Sequence, residues 1–238
     1  MDLFANENAD RKERGRMASD LIVMLTYNDQ TVPNALQTFE ASKDLPVKYW
    51  GFKDVGLSIK QMKGLVAAMK KAAKDTFLEV VRYTEAECME SAKLAVECDF
   101  DYLMGTVFYR SVFEFLRDKS IKYLPFCGRV NGSPSILQGS IEEIFDEARR
   151  LVGLGVDGFD LLAYRFVGDA EALAEQFVRE IKLPVVIAGS IDSFARLDKI
   201  KKINPWGFTI GSAFFDKKFV NDGSFREQIE SVRQYIEG

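Results

Sequence analysis

Eight short apolar runs, each followed by an amphipathic stretch, constrain this chain of 238 residues more than any other feature of it. The runs occupy residues 21–25, 47–52, 77–81, 102–104, 121–126, 159–163, 184–188 and 207–210. A continuous apolar run suits a parallel strand buried on both faces. Between the runs, apolar residues recur at helical spacing: Leu36 and Phe39; Ile59, Met62, Leu65, Val66 and Met69; Met89, Ala92, Ala95 and Val96; Val112, Phe113 and Leu116. Ile141, Ile144, Phe145, Ala148, Leu151 and Val152 give the clearest stripe, and Leu173 with Phe177, Phe194 with Leu197, and Phe225 with Ile229 continue the series. Strand and helix patterns alternating eight times predict a single (β/α)₈ TIM barrel over residues 20–238, an architecture that needs about 250 residues. The competing reading is a doubly wound sheet, but its glycine-rich fingerprint belongs near the amino terminus. Here the glycine turns come late. Residues 1–19 form a polar segment, read as loosely docked or as a helix beneath the barrel.

Composition narrows the function. A net charge of −4 is unsuited to a general nucleic-acid or membrane surface. No apolar run reaches the ~20 residues of a membrane span, and the polar start lacks the core of a signal peptide, so a cytoplasmic location is expected. Three cysteines, Cys88, Cys98 and Cys127, fit a reducing compartment. There is no histidine, which removes Ser-His-Asp and Cys-His catalysis and imidazole metal ligands. Proton transfer must rest on Asp, Glu, Lys, Tyr or Cys. Neither a cofactor nor a metal is expected, although a Mg²⁺ bridged by substrate is left open.

The last two runs each close on a small-residue turn, Gly189-Ser190-Ile191 and Gly211-Ser212-Ala213. A strand that ends in glycine and opens into a helix leaves N–H groups free to face an anion. Consecutive turns of this kind could hold one phosphate, and the loops after strands 7 and 8 are where barrels commonly bind one. Taken singly, each turn is more simply a strand-to-helix corner.

Ala188-Gly189-Ser190-Ile191, followed by Gly211-Ser212-Ala213, resembles the terminal half of the ribulose-phosphate-binding barrels. That superfamily includes the phosphoribosyl isomerases of histidine and tryptophan biosynthesis and the N-acylmannosamine-phosphate epimerases. The resemblance is specific over about a fifth of the chain. It implies a phosphate-binding role for Gly189, Ser190, Gly211 and Ser212, and it places Asp29 where the isomerases carry their first catalytic aspartate. Their second aspartate, after strand five, is absent: Cys127-Gly128 stands there. The histidine-pathway reaction is therefore not implied.

Catalytic groups in barrels project from carboxyl ends of strands. Those positions hold Asp29, Lys53, Asp54, Glu79, Arg82, Thr106, Cys127, Asp160, Tyr164 and Arg165. Lys53 and Glu79 fall on neighbouring strands and are expected to pair, either structurally or to polarise a carbonyl while the carboxylate moves a proton. Asp160, a carboxylate in an apolar strand, is expected to have a raised pKa. Arg165 and Thr106 are candidate substrate-binding groups, Arg165 through a carboxylate or second phosphate. Cys127 reads as a packed thiol. The connection over residues 128–139 is long enough to be a substrate lid.

These residues suggest an isomerase or epimerase acting on a small phosphorylated substrate, with Asp29, Lys53, Glu79 and Asp160 as catalytic groups. Two alternatives stand beside it. One is a Schiff-base aldolase using Lys53, although several aldolases of this architecture carry their lysine on strand six, where this chain has none. The other is a non-catalytic sugar-phosphate sensor. Phe214, Phe215 and Phe219 either cover a homo-oligomer surface or seat the last helix.

Overall fold

The computed structural model describes residues 18–132 and 134–238. Parallel strands form its centre: β1 (Asp20–Met24), β2 (Tyr49–Lys53), β3 (Asp75–Arg82), β4 (Tyr102–Thr106), β5 (Lys122–Leu124), β6 (Phe159–Leu161), β7 (Val185–Ile187) and β8 (Gly207–Ile210). Their hydrogen-bonded order is β6-β7-β8-β1-β2-β3-β4-β5. The two ends meet through a parallel bridge between Phe126 and Asp160. This is a (β/α)₈ barrel with a thin seam. Pro125 has no N–H for a ladder, and β5 stops just before it; the predicted run over 121–126 is correspondingly shortened.

The helices are α1 (Ala35–Glu40), α2 (Ile59–Lys71), α3 (Glu85–Glu97), α4 (Arg110–Leu116), α5 (Ile141–Leu154), α6 (Ala170–Glu180), α7 (Phe194–Ile203) and α8 (Phe225–Glu237). Capping boxes at Ser58/Gln61, Thr84/Glu87, Ser140/Glu143 and Ser224/Glu227 fix where α2, α3, α5 and α8 begin. Each such cap is worth about 1 kcal/mol. The predicted stripes face the barrel except at their margins: Leu36, Ile59 and Val152 are exposed. Ile59 opens its helix, and Val152 stands beside buried Leu151 on the edge of its stripe.

Alternation along the strands sends Tyr49, Phe77 and Tyr102 into the barrel, where they meet Trp206. Phe77 and Tyr102 stack with centroids 4.1 Å apart, and Tyr49 lies 5.0 Å from Trp206. These rings fill the amino-terminal end of the interior. Gly51, between Tyr49 and Lys53, leaves space that a Cβ would take from Met24 Sδ at 2.7 Å. Beyond these rings, Lys53 emerges into a cavity at the carboxyl end.

The chain after β1 does not run straight to its helix. It forms a small hairpin, with Thr26–Tyr27 pairing antiparallel to Gln30–Thr31. Asn28 and Asp29 at its tip have φ of 48° and 59°, the left-handed pair that a two-residue type I′ turn requires and that Asn and Asp tolerate. The long connection over 128–139 forms a second hairpin, Arg129–Asn131 with Ile136–Gln138. It is tied down by Tyr83 Oη donating to Gly132 O and by Val167 N–H donating to Leu137 O.

Phe214, Phe215 and Phe219 seat the last helix and its neighbour. Phe215 and Phe214 meet Phe225 at 4.7 and 5.6 Å, and Phe219 meets Phe194 at 5.6 Å. Among the described residues no helix is long and apolar enough to cross a membrane. The polar segment expected over residues 1–19 lies outside the described residues as far as residue 17.

Candidate active site

A cavity of about 260 Å³ opens at the carboxyl end of the barrel. Its lining brings together Asp29, Lys53, Glu79, Arg165 and both glycine corners, Gly189-Ser190 and Gly211-Ser212. These residues span most of the chain. The barrel alone makes them neighbours.

Lys53 is the centre of the inner half. Its ammonium lies 2.7 Å from Asp29 Oδ1 and 3.9 Å from Glu79 Oε1, and its side chain is 9% exposed. Burial pulls the Lys53 pKa down, but the Glu79 charge and the Asp29 hydrogen bond more than offset it, and the net shift is upward. The hydrogen bond from Lys53 in turn holds the Asp29 carboxyl below its ordinary range. Next to this cluster, Arg82 and Asp54 pair at 2.6 Å.

Asp29 reaches Lys53 because its hairpin is anchored on both sides. Thr31 is buried, and its N–H donates to Val55 O. Across the hairpin, Asn28 N–H donates to Ser212 Oγ at 3.3 Å, and Tyr27 packs on Phe215. Gly211 completes the contact: a Cβ there would stand 2.6 Å from Thr26 Oγ1.

The outer half is formed by the corners. Gly189 and Ser190 have φ of 81° and 59°, so the chain turns sharply after β7. Arg165 crosses this turn, and its Nε would be 2.8 Å from a Cβ at Gly189. β6 is cut short at Leu161, and a helical turn over Ala163–Arg165 carries the guanidinium there. Among the described residues, no protein acceptor is hydrogen-bonded to the N–H groups of Ser190, Ile191, Ser212 or Ala213. Unpaired donors on both corners of one cavity suit an anion.

Two candidates do not line the cavity. Asp160 is fully buried beneath it, and among the described residues neither carboxylate oxygen has a hydrogen-bond partner. Desolvation, with Glu79 adding to it, raises its pKa well above the ordinary range and so disfavours its charged form. Thr106 bonds to Tyr123 Oη at 2.6 Å instead. Gly105 precedes it with φ of 88°, where the β3–β4 register shifts, and this kink turns the strand end away. Cys127 is a packed thiol that donates to Ile144 O, with its pKa pushed up by burial. The described residues of the 128–139 hairpin do not line the cavity.

No family model matches the sequence, and no curated protein resembles it in sequence. Solved structures do share its fold. The N-acetylmannosamine-6-phosphate 2-epimerase of Clostridium perfringens aligns with a TM-score of 0.59 at 14% identity, over 85% of this chain and 93% of that one. Orotidine 5'-phosphate decarboxylase from Pyrococcus horikoshii OT3 aligns at 0.67 and 11% identity, over 91% and 99%. A chain of tryptophan synthase from M. tuberculosis aligns at 0.67 and 12% identity, over 94% and 95%. What these structures share with this chain is the (β/α)₈ barrel fold.

The cavity also takes in Thr26, Asp192, Asp216 and Lys218, none of which the strand ends single out in the sequence. Thr26 belongs to the hairpin, and Lys218 follows the one-turn helix Ser212–Phe215. The signal for the hairpin is present in the sequence: Asn28-Asp29 between Tyr27 and Gln30 is a two-residue turn of the left-handed kind.

Proposed function

We propose that this chain is an enzyme acting on a small phosphorylated sugar, an isomerase or epimerase that moves a proton next to a carbonyl. One observation carries the reading: a charged lysine flanked by two carboxylates shares a compact cavity with two amide-lined corners. The corners at Gly189-Ser190 and Gly211-Ser212, helped by Arg165, anchor the phosphate. The anchor supplies binding energy that positions the reacting carbons over Lys53.

In the proton transfer, a carboxylate takes hydrogen from the carbon beside the carbonyl. The C–H electron pair moves into the new C–C double bond, and the carbonyl oxygen gains negative charge. Asp29, ionised at neutral pH, is the base; the Lys53 ammonium donates to the developing oxyanion. Delivery of a proton to the opposite face of the same carbon gives the epimer; delivery to the former carbonyl carbon, with the proton of the neighbouring hydroxyl passing to the other oxygen, gives the isomer. Asp160 acts from below. As a neutral group it leaves the Lys53 charge available to the oxyanion.

The protonated state of Lys53 supports this role over a Schiff base, which needs a free amine. The test is a screen of phosphosugars by thermal shift, followed by incubation of each binder in D₂O. A ligand at 100 times its dissociation constant adds about 2.7 kcal/mol. Deuterium entering the carbon next to the carbonyl supports the reading. Binding with no exchange favours a sensor.

A further inference from the structure

The charges at the barrel mouth are divided between its two halves. Arg165 lies against Gly189 and Lys218 follows the second corner, so both of these cations belong to the outer half. Asp192 and Asp216 stand exposed at its rim. Lys53 is the basic group of the inner half, and it is already engaged by Asp29 at 2.7 Å and Glu79 at 3.9 Å. The Arg165 charge also reaches Asp29 and Lys53, but a phosphate held at the corners offsets it, and two carboxylates against one ammonium then leave the inner half with a net charge of about −1. Asp160 lies buried beneath it, where desolvation disfavours its charge.

A carboxylate on the ligand would have to share the Lys53 ammonium with Asp29 and Glu79, at close range to both negative charges. The hairpin keeps Asp29 from moving away. Thr31 bonds to the Lys53 peptide at 2.7 and 2.9 Å, Asn28 bonds to Ser212, and the left-handed pair Asn28-Asp29 fixes the tip. The cavity also falls below the ~300 Å³ at which pockets for drug-sized ligands begin, which keeps the ligand's far end close to these carboxylates.

We infer that the reacting end of the ligand is uncharged, a hydroxylated aldehyde or ketone, and that Asp29 and Glu79 exclude phosphorylated compounds whose other end is a carboxylate. This rests on the phosphate-anchor reading above. Specificity of this kind comes from repulsion built against the wrong ligand rather than from a new contact to the right one.

The test compares inorganic phosphate, glycerol phosphate and phosphoglycerate, the last two carrying phosphate on one terminal carbon and differing at the other, a hydroxymethyl group against a carboxylate. Binding is followed by titration calorimetry on the full chain at neutral pH. Glycerol phosphate is expected to bind at least about tenfold more tightly than phosphoglycerate. In the Asp29→Asn, Glu79→Gln variant, phosphoglycerate gains at least about tenfold relative to glycerol phosphate. Should the double variant not fold, Asp29→Asn alone, at a side chain 58% exposed, shows a gain in the same direction. Equal binding of the two organic phosphates to the wild type, or no gain in the variants, overturns the inference. Failure of all three, inorganic phosphate included, overturns the anchor reading itself and this inference with it.

Discussion

The hydroxyl of Thr31 donates to the carbonyl of Lys53 at 2.7 Å and accepts from the N–H of the same residue at 2.9 Å. Beyond Met24 the chain leaves the barrel as a hairpin, and a side chain takes the place of a strand neighbour for Lys53. The same bonds hold Asp29 against the Lys53 ammonium. Thr31→Val keeps the shape and removes both bonds, leaving a buried N–H and C=O without partners. It should cost about 1–3 kcal/mol in denaturant unfolding. It should also lower the Lys53 pKa, read from the pH dependence of labelling by an amine-specific reagent. Thr31→Ser should restore both. An unchanged Lys53 titration in Thr31→Val would mean that the hairpin is positioned by other contacts.

Lys53 bears its proton at neutral pH because Glu79 and Asp29 outweigh its burial. Borohydride added with a phosphorylated ketone or aldehyde should therefore leave Lys53 unmodified, as judged by peptide mass spectrometry. Lys53→Met should lower turnover of the exchanging substrate by about 10²–10³, the usual loss of an oxyanion donor. A covalent adduct on Lys53 would favour the aldolase chemistry instead.

Asp160 gives a stability signature with a definite sign. Its folded pKa is raised above the ordinary value of 3.8, so the folded protein keeps a proton that the unfolded chain releases. The stability associated with this group is complete below the unfolded pKa and is lost as pH rises through the folded pKa. From pH 4 upward the wild type should lose ground to Asp160→Asn, by about 1.4 kcal/mol per pH unit until the folded carboxyl itself ionises. Parallel stability curves for the two proteins would show that Asp160 ionises normally.

Gly189 combines a left-handed φ with the crossing of Arg165, so Gly189→Ala is disfavoured twice. It should cost about 1 kcal/mol or more of stability and weaken binding of inorganic phosphate. At Gly64, where a Cβ meets nothing within 4 Å, the same substitution in the interior of α2 should stabilise by about 0.5–1 kcal/mol. Equal effects at the two positions would contradict the role given to the first corner.

Repetition made the barrel legible in the sequence. Each strand is buried on both faces and each helix on one, so period and composition mark them independently of their neighbours. The corners after β7 and β8 were legible for the same reason, as glycines at the ends of such runs. Contacts between distant segments were not. The pairing of Asp29 with Lys53 depends on a hairpin whose tip rests on Ser212, 184 residues from Asn28. Thr106 sits at a strand end like Lys53, yet one left-handed glycine, Gly105, turns it toward Tyr123. Asp160 follows the inward alternation of β6, but the cluster of Lys53 and Glu79 covers it; its raised pKa was expected from sequence, its place beneath the cavity was not.

The proposal depends most on the two amide-lined corners gripping a single anion. Titration of the uniformly ¹⁵N-labelled protein with inorganic phosphate, followed by amide shifts, addresses this directly. The resonances of Ser190, Ile191, Ser212 and Ala213 should move together and saturate on one curve. Movement at one corner only, or two curves with different midpoints, would contradict a shared phosphate site.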